Sequence, residues 1–265
     1  MTMNRYPASR TRWTTATLAL VASSALATTA QSAERDFQVS VGPGVVIVPE
    51  YPGSEDLDTL PIPALDLSYR DVLFANTRHG IGAWLVNREG SQVGGAISFR
   101  RGRDEDDSDR LRGLGDIDDS AVAQIFAVRD LGPLRLTAQL AQSIGESSGL
   151  TLDTSAAWRF RLAPATQVAL GVRSTFGNSE YMRTWFGIDA EQAQRSGLPE
   201  YDMDAGIQSA GTFVGVNHQL SRAWAIAAVA GYDYLVGDAA DSPIVEDDAK
   251  PTLMIHAAYR FGNGN

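Results

Sequence analysis

Cysteine is absent from the 265 residues of this chain, so neither disulfide staples nor cysteine-zinc clusters hold the fold together. Basic residues are outnumbered, 22 Lys and Arg against 32 Asp and Glu, which removes the positive surface that a nucleic-acid binder needs. Beyond residue 30 no uncharged apolar stretch reaches the roughly 18 residues of a membrane helix, although 44% of the chain is hydrophobic. Histidine occurs three times, as His79, His218 and His256, with no metal-ligand spacing. A GxSxG nucleophile turn and a glycine-rich phosphate loop are missing too, so no cofactor or metal is expected. What needs explaining is where the apolar residues go.

The N-terminus accounts for some of them. Arg5, Arg10 and Arg12 precede an uncharged stretch, 13–27, that ends in the small residues Ala27, Thr28, Thr29 and Ala30. This is the pattern of a secretory signal peptide over 1–30, with cleavage after Ala30 or as late as Ala33. The apolar core is too short and too rich in Ala, Thr and Ser to span a bilayer. The expectation is export across the inner membrane of a Gram-negative cell, leaving one domain over 34–265.

The rest of the chain alternates. Leu150, Leu152, Ala156, Trp158, Phe160 and Leu162 share one face, and Thr151, Asp153, Ser155, Arg159 and Arg161 the other. The same period of two sets Leu134, Leu136 and Leu140 against Arg135, Thr137 and Gln139, and sets Val168, Leu170 and Val172 against Gln167, Gly171 and Arg173. Trp224, Ile226, Ala228, Ala230, Tyr232 and Tyr234 share a face, as do Leu253, Ile255, Ala257, Tyr259 and Phe261. Such runs exceed the usual soluble strand of about 5 to 6 residues and match the roughly 9 to 11 that cross a bilayer at a tilt. Trp224 and Tyr232 stand about 26 Å apart along an extended strand, as the two aromatic edges of a lipid-facing band would.

Connections alternate as well. Tight turns are expected at Arg70 and Asp71, at 88–90, at Gly132 and Pro133, at Pro164, and at Ser221 and Arg222. Long connections fall at 49–60, 102–119, 177–204 and 237–250, with a shorter one at 145–149. Short periplasmic turns and long outer loops are the habit of outer-membrane barrels. A minimal outer turn at Arg78 and His79 completes the alternation. The fold class read from the sequence is therefore all-β, a transmembrane antiparallel up-and-down barrel of about 12 strands with both termini in the periplasm.

The long connections carry most of the acids, with Asp104, Glu105, Asp106, Asp107 and Asp109 clustered in one of them. A calcium loop would need glycine at its sixth position and a closing glutamate, so a solvated or disordered charge run is expected instead. These acids could share divalent cations with lipopolysaccharide, which with membrane lipid is an expected partner. Catalysis finds no support in pattern: period two sends Asn217 and His218 to opposite faces, and a lipid-modifying barrel enzyme is the least favoured reading. The candidate site is the lumen. Arg135, Arg159, Arg161, Arg173 and His256 should project inward with Asp153 and Gln139, either as an anion-preferring constriction or, the favoured alternative, as charge pairing that fills a narrow interior.

Several spaced residues resemble the MipA/OmpV family of outer-membrane proteins: Pro49, Glu50, Tyr51, Gly53 and Ser54; the stretch from Tyr181 through Trp185 and Phe186 to Ile188; Ser196, Gly197, Leu198, Pro199 and Tyr201; and Leu235, Gly237, Asp238, Ser242 and Pro243. Tyr259 and Phe261 resemble the aromatic assembly signal of such barrels, with His256 where glycine is frequent. The resemblance implies an outer-membrane location and a non-catalytic scaffold that binds a murein-degrading lytic transglycosylase and a penicillin-binding protein. It also implies the alternatives of a small-solute porin or a surface adhesin.

Overall fold

A computed structural model describes residues 37–145 and 149–261; the expected signal peptide and the tail beyond Phe261 lie outside the described residues. Among the described residues, twelve antiparallel strands close into one barrel. They are β1 (Phe37–Pro49), β2 (Leu57–Tyr69), β3 (Leu73–Asn76), β4 (Gly80–Arg88), β5 (Ser91–Arg100), β6 (Ser120–Leu131), β7 (Leu134–Ile144), β8 (Gly149–Ala163), β9 (Thr166–Gly177), β10 (Gly206–Gln219), β11 (Trp224–Leu235) and β12 (Ala249–Phe261). Each pairs with its neighbour in sequence, and β12 returns to β1 with Val45 opposite Ile255. The fold class and strand number agree with the alternation read from the sequence.

Closure pairs every strand with two neighbours, which satisfies most of the backbone in hydrocarbon, and period two then sorts the side chains. On β11, Trp224, Ile226, Tyr232 and Tyr234 are exposed on the outside, while Ala227, Val229 and Asp233 are buried inside. On β8, Trp158 and Phe160 face out and Ser155 and Ala157 face in. The tight turns sit at the end carrying the termini. Arg70 and Asp71 both adopt φ of 53°, the left-handed pair of a two-residue hairpin turn, and the Val72 N–H donates to the Tyr69 carbonyl at 3.1 Å.

The expected turn at Arg78 and His79 is present on the side away from the termini and separates β3 from β4, but it lies below the outer rim. β3 has only four residues and ends with Asn76 opposite Asp66, so the chain reverses part of the way up the wall. His79 is buried there, stacked on Phe126 at 4.0 Å between ring centroids, beside Phe74 and Trp84. One expectation fails in part: the acidic connection 102–119 is folded and not disordered, although Asp106 and Asp109 stay solvated. Leu111, Leu114 and Ile117 are buried, and Glu105 accepts from the N–H groups of Gly113 and Gly115, both at 3.0 Å. A few apolar residues inside an acidic run were enough to fold it.

The long connection between β9 and β10 forms two short helices, α1 (Ser179–Phe186), capped by the Asn178 side chain, and α2 (Ala190–Ser196), closed by a capping box from Asp189 and by Gly197 at φ of 78°. These helices and the other outer connections make a roof over the barrel. Met182, Trp185, Phe186 and Met203 pack with Leu235 and Ala239 in one apolar cluster, and Tyr51, Leu111, Leu114, Ile188 and Ile244 form a second.

Candidate functional site

Under this roof the barrel encloses a chamber of about 370 Å³. Its ceiling is aromatic, with Tyr51, Tyr181 and Trp185, and its walls are charged. The ceiling is fixed by contacts that join separate connections. Tyr51 donates its hydroxyl to Glu246 Oε2 at 2.7 Å, Arg103 Nη1 donates to the Trp185 carbonyl at 3.0 Å, and Ser242 Oγ donates to the Phe186 carbonyl at 2.6 Å. Tyr201 reaches the Asp238 carbonyl at 2.8 Å. The residues that carry the family resemblance, dispersed over almost 200 positions, thus meet in one roof.

Burial governs the ionisation of these roof groups. It pushes the Tyr51 hydroxyl up, helped by the hydrogen bond to Glu246, and it lowers Arg103 to about 10, against the opposing fields of Tyr51 and Asp107. Glu50 is raised, first by burial and then by Asp58, Asp56 and Asp107.

The arginines expected in the lumen divide into three groups. Arg135 and Arg159 line the chamber and share Asp130, which takes two bonds from Arg135 at 2.7 Å each and one ion pair from Arg159 at 2.9 Å. Arg173 lines it too and is fixed to Asp233. Arg161, by contrast, is exposed at the periplasmic end of β8 and does not border the chamber. His256 is half-buried on β12 and also stands outside the chamber lining, near Arg78. Asp153 accepts from Thr175 Oγ1 at 2.6 Å.

Pattern reading missed three cations that border the chamber. Arg78 and Lys250 have no hydrogen-bond or ion-pair partner among the described residues, and Arg100 is held by the hydroxyls of Ser143 (2.8 Å) and Thr151 (3.1 Å) while lying over the Tyr181 ring. Arg78 falls in a turn and Lys250 at the end of a long connection, where no period applies, whereas Arg100 shares the inward parity of Ser98 on β5, opposite the exposed Ile97. Asp130 and Asp233, the acids that neutralise the predicted arginines, were equally visible as charges on inward positions of strands.

His218 points outward, its Nδ1 2.8 Å from Thr166 Oγ1, while Asn217 borders the chamber. The two do not act on one face. Among the described residues, no group of three or more His, Cys, Asp or Glu side chains is placed to hold a metal ion.

A family model described as MltA-interacting protein MipA matches residues 41–261. No curated protein matches the chain. Solved structures with a general likeness include OmpT, an outer membrane protein of Vibrio cholerae (10% identity, 88% of this chain and 100% of that one, TM-score 0.39). An outer membrane channel from Pseudomonas putida F1 gives 14% identity, coverage of 85% and 94%, and a TM-score of 0.41. A bacterial polysaccharide outer membrane secretin gives 11%, 85% and 98%, and 0.45. Likenesses this distant decide nothing about activity. The family match, which runs from β1 to the last residue of β12, is what identifies the chain: it belongs to the MipA family and is a β-barrel of the outer membrane.

Proposed function

We propose that this barrel is a non-catalytic scaffold whose periplasmic rim docks a murein-remodelling enzyme, a lytic transglycosylase and with it a penicillin-binding protein. The observation that carries this reading is the charge of the rim. Arg70, Arg88, Arg129, Arg161, Arg222 and Arg260 are all exposed at the periplasmic ends of strands, against exposed Asp71 and Glu89. Complementary charge steers association and fixes register, and an acidic face on the partner would meet such a ring. The family description, which names interaction with MltA, supports the choice of partner. Affinity capture from solubilised envelopes tests it. Wild-type barrel should enrich a lytic transglycosylase, and Arg88→Glu with Arg161→Glu should lower its recovery about tenfold; equal recovery with and without the rim charges would refute docking at this surface.

A second reading, a pore for small anions, is favoured by Arg78, Arg100 and Lys250 facing the chamber. Planar-bilayer recording decides it: steady anion-selective current that falls in Arg159→Ala supports conduction, and silence supports a closed barrel.

A further inference from the structure

The short hairpin leaves the barrel wall incomplete in its outer half. β2 pairs with β1 along its whole length, from Phe37 opposite Tyr69 to Pro49 opposite Leu57. On its other side β2 has only β3, whose last residue Asn76 stands opposite Asp66. β4 begins at Gly80, and its pairing with β5 reaches no further than Ile81 opposite Ile97. Above that level β5 continues to Arg100 against β6 alone. Residues 57–64 of β2 and 99–102 beside β5 therefore border an opening whose floor is the turn Thr77, Arg78 and His79.

An open strand edge facing hydrocarbon is costly because its N–H groups find no acceptor. β2 carries a specific remedy. The Leu65 N–H donates to Thr77 Oγ1 and the Leu65 carbonyl accepts from the Thr77 N–H, both at 3.0 Å, so the odd-numbered residues of β2 turn their backbone groups toward the opening. The next two on that side are Pro63 and Pro61, which have no N–H to lose, and the Pro63 carbonyl accepts from Thr77 Oγ1 at 2.5 Å. At these two positions the edge presents no donor.

The opening leads into the chamber, since Leu60, Arg78, His79, Arg100, Arg101 and Gly102 border both. Across it runs an ion pair, Arg101 Nη1 to Asp58 Oδ2 at 2.9 Å. On the outside, a shallow groove of about 550 Å³ starts at the β3–β4 hairpin, with Ile81 and Ala83, and runs across Gly95 and Ile97 to Ile125, Leu140 and Leu150. On the inside stand Arg78, in the field of Asp66 but with no ion-pair partner among the described residues, and Arg100, held by the Ser143 and Thr151 hydroxyls against the Tyr181 ring. We propose that this opening is a lateral portal, latched by Asp58 and Arg101, through which a membrane amphiphile with an anionic head and a single apolar chain places its head at Arg78 and Arg100 while its chain lies in the outer groove. The charges on the inner side select the head, the small residues outside leave room for the chain, and the side route leaves the folded roof undisturbed.

The test uses a dansyl-labelled fatty acid with the full barrel in lipid nanodiscs, read by energy transfer from tryptophan. Wild type should bind saturably; Arg78→Gln should weaken binding about tenfold while heat-modifiability on gels shows the barrel intact; and Arg101→Ala should speed uptake. Because the chain has no cysteine, Asp58→Cys with Arg101→Cys can be joined by a reducible thiol cross-linker, which should slow uptake at least tenfold until the link is reduced. Binding insensitive to Arg78→Gln, or uptake equally fast with the latch cross-linked and open, would overturn the proposal. Competition by short-chain hexanoate that persists with the latch cross-linked would instead establish an aqueous route through the roof and rule out the lateral one.

Discussion

Arg173 on β9 grips Asp233 on β11 with two parallel bonds, Nε to Oδ1 at 2.8 Å and Nη2 to Oδ2 at 2.5 Å, reaching across the intervening strand β10. The reach is made possible by two glycines. A Cβ on Gly211 would stand 2.2 Å from Asp233 Oδ1, and one on Gly231 would stand 2.3 Å from Arg173 Nη2. Both partners are largely buried, at 13% and 10% side-chain exposure. Breaking such a pair leaves a desolvated charge alone, which costs about 3–5 kcal/mol. Asp233→Ala should lower the unfolding free energy of the barrel by that order in urea titrations, and Arg173→Met with Asp233→Leu together should cost less than Asp233→Ala alone. Gly211→Ala, which keeps both charges, should still destabilise by about 1–3 kcal/mol through overpacking.

Asp130 satisfies two arginines at once, so its removal should hurt more than the loss of either. After Arg135→Ala the carboxylate keeps Arg159, and after Arg159→Ala it keeps both bonds to Arg135. Arg159 also carries a buried Nε with no hydrogen-bond partner among the described residues, so truncating it removes a desolvated donor along with the pair. The expected order of cost is Asp130→Ala, then Arg135→Ala, then Arg159→Ala, with about 1–3 kcal/mol between the extremes. Urea midpoints at constant slope would check the order.

Glu50 gives the roof a pH dependence of defined sign. Its pKa in the folded chain is raised above the ordinary 4.5, chiefly by burial and then by Asp58, Asp56 and Asp107. Folding therefore favours the protonated carboxyl. Its stabilising contribution is complete below the unfolded value and is lost as pH rises through the folded one. Glu50→Gln should raise the thermal midpoint of the roof, followed by near-ultraviolet circular dichroism, at pH near 7. At pH near 4 the substitution should change little.

The barrel wall was legible because lipid and lumen impose opposite chemistry on alternate residues, and Trp224, Ile226 and Tyr232 on one face with Ala227, Val229 and Asp233 on the other record that directly. The roof was not, because its buried residues are scattered. Leu111 and Leu114 sit within an acidic run, and their partners Tyr51, Ile188 and Ile244 come from three other connections, so no local period announces them. The inward fold of Arg78 and His79 escaped for another reason. Leu73 to Asn76 alternate like any strand, and nothing in four residues says how far up a wall they climb. Asp130 and Asp233 are visible as inward charges, but which arginine each one meets depends on the register between strands, which the sequence does not state.

Pro61 and Pro63 make the last prediction. They stand where β2 turns its backbone toward the wall opening, and proline there withholds the donors through which a second chain could add a strand. Pro61→Val with Pro63→Val restores two N–H groups at that edge while supplying side chains that favour extended backbone. Unpaired, each new donor would cost about 1–3 kcal/mol in an apolar setting, so the variant should relieve the cost by pairing edge to edge. Cross-linking of purified barrel in detergent should show a larger dimer fraction for the double variant than for wild type, and the excess should disappear when only Pro43, which pairs with Pro63 from β1 and faces no opening, is replaced by Val. A dimer fraction equal in wild type and the double variant would mean that the prolines do not guard this edge.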